Sequence, residues 1–243
     1  MVDGILASSR IHCLHPSDTA TVLQINTNRH NSLRCHDIKS IIAAIENAEQ
    51  TARVKMLIVT GVGSSFCTGL DVEHLKICDK QEVIDCLYYL DLLMYKIVTS
   101  YILIVSAVNG HTIGGGAIIA VASDYCIASD DMRTKIGFPE YKMGLFLPKF
   151  MGSLVFRRTT VGMKMLLFGK YVGVQEAMQM GIIDHCVHDD IIEEVLTLFS
   201  DVDSQTVRNY KCHNMNADEV LLPVKSNSEY SELASRIQHL KDD

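Results

Sequence analysis

The sequence predicts an α/β fold, on three observations. Short apolar runs of strand length occur at 54–60 (VKMLIVT) and 101–108 (YILIVSAV), segments with apolar residues at helical spacing alternate with them, and glycine-rich turns follow the strands. At 243 residues, 48% of them hydrophobic, the chain is long enough for one domain, or for a core with an appendage.

Two alternating, β-branched segments come first, at 10–14 and 20–26. The turn residues His15-Pro16-Ser17-Asp18 between them predict an N-terminal hairpin. The period then lengthens: with Asp37 as N-cap, Ile38, Ile41, Ile42 and Ile45 fall on one helical face. After the strand at 54–60 and its turn Gly61–Ser65, a helix is expected over 81–100, carrying Val83, Ile84, Leu87, Leu90, Leu93 and Met94. The strand at 101–108, an apolar helix at 114–123 and a strand at 125–128 continue the alternation. The second half reads as helical, over 152–168, 175–180 closed by Gly181, 189–199, and from about Asn227. The last of these has Ser226 and Glu229 as a capping box and Tyr230, Leu233, Ile237 and Leu240 as its stripe.

Twenty-two basic against 29 acidic residues give a net charge of −7, and no basic run exceeds Arg157-Arg158, which argues against nucleic acid as a partner. The first ten residues read neither as a secretory signal nor as a transit peptide, and no apolar stretch approaches the roughly 20 residues a bilayer needs, so no membrane partner is expected. Eight cysteines without a CxxC point to an intracellular, reducing compartment; cytoplasm, peroxisome and mitochondrion are not distinguished. No Cys or His pair at ligand spacing is matched by a second, so no metal is expected.

Two glycine-rich turns carry the chemistry: GVGSSFCTGLD at 61–71 and GHTIGGGA at 110–117, the latter opening into a helix. Neither completes a dinucleotide or P-loop motif, since Phe66 stands where GxGxxG needs glycine and no Lys-Ser/Thr follows the glycine triplet. Backbone N–H groups at such turns and at helix N-termini are free to hold developing negative charge.

Five stretches, in order, resemble the enoyl-CoA hydratase/isomerase (crotonase) family: NRHNSL at 28–33, VKMLIVTGVGSSFCTGLDVEHL at 54–75, IVSAVNGHTIGGGAIIAVASDYCIAS at 104–129, KIGFPEYKMGLFLP at 135–148 and VQEAMQMGIIDHCV at 174–187. The resemblance implies a spiral of ββα units over 1–190 with a shortened helical region at 191–243. It also implies an acyl-CoA substrate, no separate cofactor because coenzyme A belongs to the substrate, and a homotrimer or dimer of trimers. It assigns the N–H groups of Leu70 and Gly115 as a pair of donors to a thioester oxygen. Thr68, Gly69, Leu70, Asp71, Gly115 and Ile118 become the substrate-binding positions. Two fixed amide donors stabilise the charge of a thioester enolate, and losing one costs about 3–4 kcal/mol of barrier.

In the family's hydratases one glutamate lies three residues after the oxyanion glycine and a second in a PE-containing segment. Here the first position is Ile118, and the second holds its acid as Glu140, in Gly137-Phe138-Pro139-Glu140. One carboxylate can take a proton from C2 and return it at C4, so the expected reaction is Δ3,Δ2-enoyl-CoA isomerisation in fatty acid β-oxidation, with Glu140 as base and acid. Phe138, Pro139, Phe146 and Ile118 are expected to surround Glu140 with apolar surface and raise its pKa. A hydratase or another reaction of the family, and an acyl-CoA-binding protein without catalysis, are the alternatives. His111 reads as a loop residue, Cys67 lacks a neighbour that would activate it, and Asp71 reads as a cap. The methionine pairs at 163/165 and 178/180 read as filler. Asp71-Val72-Glu73-His74 stands where relatives often have a basic residue for the CoA phosphates, leaving Arg29 as a candidate.

Overall fold

The computed structural model describes residues 10–159, 164, 166, 168–214 and 223–240. The expected hairpin forms β1 (Ile11–Ser17) and β2 (Ala20–Ile25), followed by α1 (Cys35–Gln50). Next come β3 (Met56–Gly61), β4 (Ser65–Cys67), a short α2 (Val72–Ile77) and a long α3 (Lys80–Thr99). The pattern repeats as β5 (Leu103–Val108), β6 (His111–Ile113) and α4 (Gly115–Ala122), then as β7 (Tyr125–Ser129) and β8 (Ile136–Gly137) leading into a 3-10 turn at Glu140–Met143. After these follow α5 (Lys149–Arg158), β9 (Tyr171–Val172), α6 (Val174–Gln179), β10 (His185–Val187), α7 (Ile191–Leu198), α8 (Ser204–Asn214) and α9 (Ser228–Gln238).

From β3 to β8, consecutive strands alternate between two sheets. The larger has the order β1-β2-β3-β5-β7-β10 and the smaller β4-β6-β8-β9. The pairs β3/β4, β5/β6 and β7/β8 each give one strand to each sheet, which is the ββα spiral that the resemblance implied. Only β1 is antiparallel to its neighbour in the larger sheet; from β2 onward the strands run parallel, with Ala20 opposite Met56, Met56 opposite Leu103 and Val105 opposite Tyr125.

Parallel strands buried on both faces read as unbroken apolar runs, and every residue of β3 and β5 is buried. Because alternate residues point to opposite faces, Leu57, Val59 and Ile104 join the main core, whereas Met56, Ile58 and Val105 pack with Ile191 and Val195 of α7. Among the described residues no helix is long and apolar enough to cross a membrane.

Several boundaries differ from expectation for identifiable reasons. The N-cap of α1 is Arg34; Asp37 sits in the first turn, where its carboxylate accepts from Arg34 N–H at 2.8 Å. β1 continues through Pro16 to Ser17, which an edge strand tolerates because the proline nitrogen owes no ladder bond. The last helix is capped by Asn227, whose side chain accepts from Glu229 N–H, and not by Ser226. The glycine-rich turns contain strands, β4 and β6, too short to show a period. Of the helix expected over 152–168, α5 is present but starts at Lys149, while residues 160–163, 165 and 167, and with them the methionine pair at 163/165, lie outside the described residues.

Candidate active site

The two glycine-rich turns meet. Leu70 forms a parallel bridge with Leu33, in which Leu33 N–H donates to Gly69 O and Asp71 N–H donates to Leu33 O, both at short range (2.8 and 2.9 Å). In such a bridge the flanking residues supply the bonds, so the N–H of Leu70 itself points to the opposite side. Gly115 opens α4, where the first helix bond is Ile118 N–H to Gly114 O; the Gly115 N–H is one of the donors that the helix ladder leaves free. A side chain on Gly69 would place its Cβ 2.6 Å from Gly115 N, and φ there is +81°, so glycine is what permits the two backbones to touch.

Asn31 fixes the first turn from behind. It is fully buried with φ +52°, and its Nδ2 donates to Val62 O at 3.0 Å and Ser65 O at 2.7 Å. This is the polar centre of the NRHNSL stretch, and its role is to hold the turn that carries Leu70.

One pocket is lined by Thr68, Leu70, Gly115, Ile118 and Glu140 together. Its remaining wall is apolar, with Leu90 from α3, Phe146 from the loop before α5, and Leu233 and Ile237 from α9 among the residues that build it. Among the described residues Glu140 is the only acid in that lining. Its Oε2 is buried and has no hydrogen-bond partner among them, although the residue as a whole is partly exposed. Oε1 lies at the second glycine turn, 3.1 Å from where a Gly114 Cβ would sit. Burial pushes the Glu140 carboxyl up to about 7, against a bond from its own backbone N–H that pulls it down. A carboxylate at that value exists in both protonation states near neutral pH and can both accept and return a proton.

The other expected positions divide. Ile118 is 1% exposed and lines the pocket, as do Pro139 and Phe146, but Phe138 is buried in the core and is not part of the wall. Gly69 serves by its contact with Gly115 and does not line the pocket; neither does Asp71. Asp71 caps α2 by accepting from His74 N–H and pairs with Arg34 at 2.9 Å. Burial raises its carboxyl, yet the bonds from Arg34 and His74 outweigh this and the net shift is downward. Cys67 is fully buried, and its thiol is pushed up to about 12 by desolvation, so it is no nucleophile. His111 lies in β6, where a loop was expected, and accepts from Lys135 N–H at 3.2 Å. Arg29 is exposed. Leu87, Leu90, Leu233 and Ile237 went unassigned as site residues because at helical spacing they look like any core stripe.

The fold has solved counterparts. The human mitochondrial Δ3,Δ2-enoyl-CoA isomerase superposes with a TM-score of 0.86 at 21% identity, covering 95% of this chain and 93% of that one. An enoyl-CoA hydratase from Bacillus halodurans gives 0.82 at 22% identity, covering 95% and 96%. At these identities the likeness is one of fold. In sequence, the chain is 28% identical over 148 residues to the fatty acid oxidation complex subunit alpha of Shewanella frigidimarina; the match takes in 57% of this chain and only about a fifth (20%) of that longer protein. The model of the enoyl-CoA hydratase/isomerase family matches residues 17–228, and with the spiral of ββα units and the paired glycine turns it establishes that the chain belongs to that family.

Proposed function

We propose that the chain is a Δ3,Δ2-enoyl-CoA isomerase acting in fatty acid oxidation with a single carboxylate. The observation that carries this reading is that, among the described residues, Glu140 is the one acid lining the pocket and its Oε2 has no partner, while Ile118 stands on α4 where a second acid would have to be. The thioester oxygen sits between the N–H groups of Leu70 and Gly115. Glu140, ionised, removes a proton from C2 of a 3-enoyl-CoA, and the electron pair moves onto that oxygen as the enolate. The same proton is returned at C4, the double bond shifts from C3–C4 to C2–C3, and the carboxylate is regenerated.

Hydration of a 2-enoyl-CoA needs a held water, whose oxygen bonds C3 as it gives up one proton while another is delivered to C2. Among the described residues the wall around Ile118 is apolar, and an isoleucine gives such a water nothing to bond where a carboxylate would hold it. The donors act on charge that exists only after C2 loses its proton, so they favour the transition state over the ground state.

The test is turnover of a 3-enoyl-CoA by the unsubstituted chain and by Glu140→Gln. The variant is expected to lose on the order of 10²–10⁴-fold in kcat, the usual contribution of a positioned acid–base group. Undiminished isomerisation in the variant, or hydration of a 2-enoyl-CoA by the unsubstituted chain at a comparable rate, overturns the reading.

A further inference from the structure

Where α2 gives way to α3, the spacing His74-x3-Cys78-x3-Glu82 brings three different donors together. His74 lies in α2, Cys78 caps its C-terminal end, and Glu82 lies in the first turn of α3, so each residue is about one helical turn from the next along a bent path. The bend is held from several sides. Asp71 accepts from His74 N–H at 3.2 Å, Asp79 accepts from Glu82 N–H at 2.8 Å, and Gln238 of α9 donates to Cys78 O at 3.1 Å.

The imidazole Nε2 of His74 is 3.5 Å from Cys78 Sγ and 3.7 Å from Glu82 Oε1, and the three donor atoms all lie within 4.8 Å of one another. Zinc bonds of about 2.3 Å to sulfur and about 2.05 Å to nitrogen and oxygen at tetrahedral angles separate N from S by about 3.6 Å and N from O by about 3.4 Å. The two measured edges match this to within a few tenths of an ångström. One thiolate and one carboxylate would also neutralise a dication. The side chains of His74 and Glu82 are 27% and 49% exposed, so the triangle is open to solvent and leaves a fourth position for water.

We propose that His74, Cys78 and Glu82 bind a divalent zinc ion on the outer side of the turn that carries Leu70. The donor set of one imidazole, one thiolate and one carboxylate selects a borderline-soft cation over calcium or magnesium. Binding exchanges one proton: the Cys78 thiol, which lies 3.2 Å from His74 O as its hydrogen-bond donor, releases its proton to water, and the sulfur takes the metal instead. Since α2 begins two residues after Leu70, the ion ties that turn to α3. The sequence reading, which looked for two matched ligand pairs, passed over a single run of three. The inference is independent of the isomerase proposal.

The experiment uses the full chain with Zn²⁺ in competition with a chromophoric chelator, and Co²⁺ as a spectroscopic probe. One ion per chain and a thiolate-to-cobalt charge-transfer band are expected. Cys78→Ser should abolish the band, and His74→Gln and Glu82→Gln should each weaken zinc by at least about tenfold, while Cys13→Ser, at an exposed cysteine, should leave both unchanged. In the unsubstituted chain, zinc should slow alkylation of Cys78 and not of Cys13, a reading that needs no variant. A band that survives Cys78→Ser, the absence of a band, or equal alkylation rates with and without zinc overturns the assignment.

Discussion

Replacing Glu140 by glutamine should change stability in a way that depends on pH, by an amount the structure fixes. Burial raises the carboxyl from 4.5 to about 7 in the folded chain, so the folded state holds this proton more tightly than the unfolded one. The associated stability is fully present below about pH 4.5 and is lost as pH rises through about 7; at about 1.4 kcal/mol per unit the loss is about 3 kcal/mol. Glutamine does not titrate. The difference between variant and unsubstituted chain should therefore move about 3 kcal/mol in the variant's favour between about pH 4 and about pH 9. Whatever the amide costs or gains by packing is the same at both ends of that range, and Asp91 and Asp124, whose carboxyls burial also raises, are common to both proteins and cancel. Urea unfolding at the two pH values measures the change. A difference independent of pH would show that the carboxylate is solvated in the folded chain and would remove the physical basis for a proton shuttle.

Other outcomes follow from the same geometry. kcat/KM for isomerisation should rise with pH to a plateau with a midpoint near 7, because only the ionised Glu140 can take the C2 proton; a flat profile from about pH 5 to 9 would contradict the assignment. Gly69→Ala should lower kcat by on the order of 10²-fold, since its methyl would sit 2.6 Å from Gly115 N and force the two donors apart; full activity in a folded variant would show that they do not act together. Tyr230→Phe removes the 2.6 Å bond to buried Asp91, whose carboxyl burial pushes up to about 6 against that bond. Denaturant titrations should show a loss of about 1–3 kcal/mol, larger above pH 6, where Asp91 is charged, than below it; equal losses would refute the account. Ile118→Glu would put a second carboxylate in the pocket and should carry the kcat/KM midpoint above 7; an unmoved midpoint would show that the two side chains do not sense one another.

How much of this was legible in the sequence depends on the length scale of each feature. β3 and β5 were plain because six consecutive buried residues leave an unbroken apolar run. The smaller sheet was not, because β8 and β9 have two residues each and β4 and β6 three, too few for any period. Glu140 was marked by its place beside Pro139 in a familiar stretch, and of the apolar neighbours expected to raise its pKa, Pro139, Phe146 and Ile118 line the pocket with it. The far wall of that pocket comes from distant segments, Leu90 on α3 and Leu233 and Ile237 on α9, whose spacing announces only that they face inward. Asn31 shows the converse: a polar residue inside a turn looks solvated until the carbonyls of Val62 and Ser65 come round to meet it. The i, i+4, i+8 spacing of His74, Cys78 and Glu82 would string them along one face of a straight helix, and it is the bend at Cys78 that gathers all three donor atoms within reach of one another.

The order in which the pocket's walls are synthesised has its own consequence. Leu233 and Ile237 leave the ribosome after Glu140 and the glycine turns, so a growing chain carries an apolar cleft with one wall missing until α9 has been made. During that interval the cleft is open to water on the side that α9 later covers, and a hydrated carboxylate titrates nearer its ordinary range. Docking of α9 closes that wall and takes the apolar surface out of water in the same step.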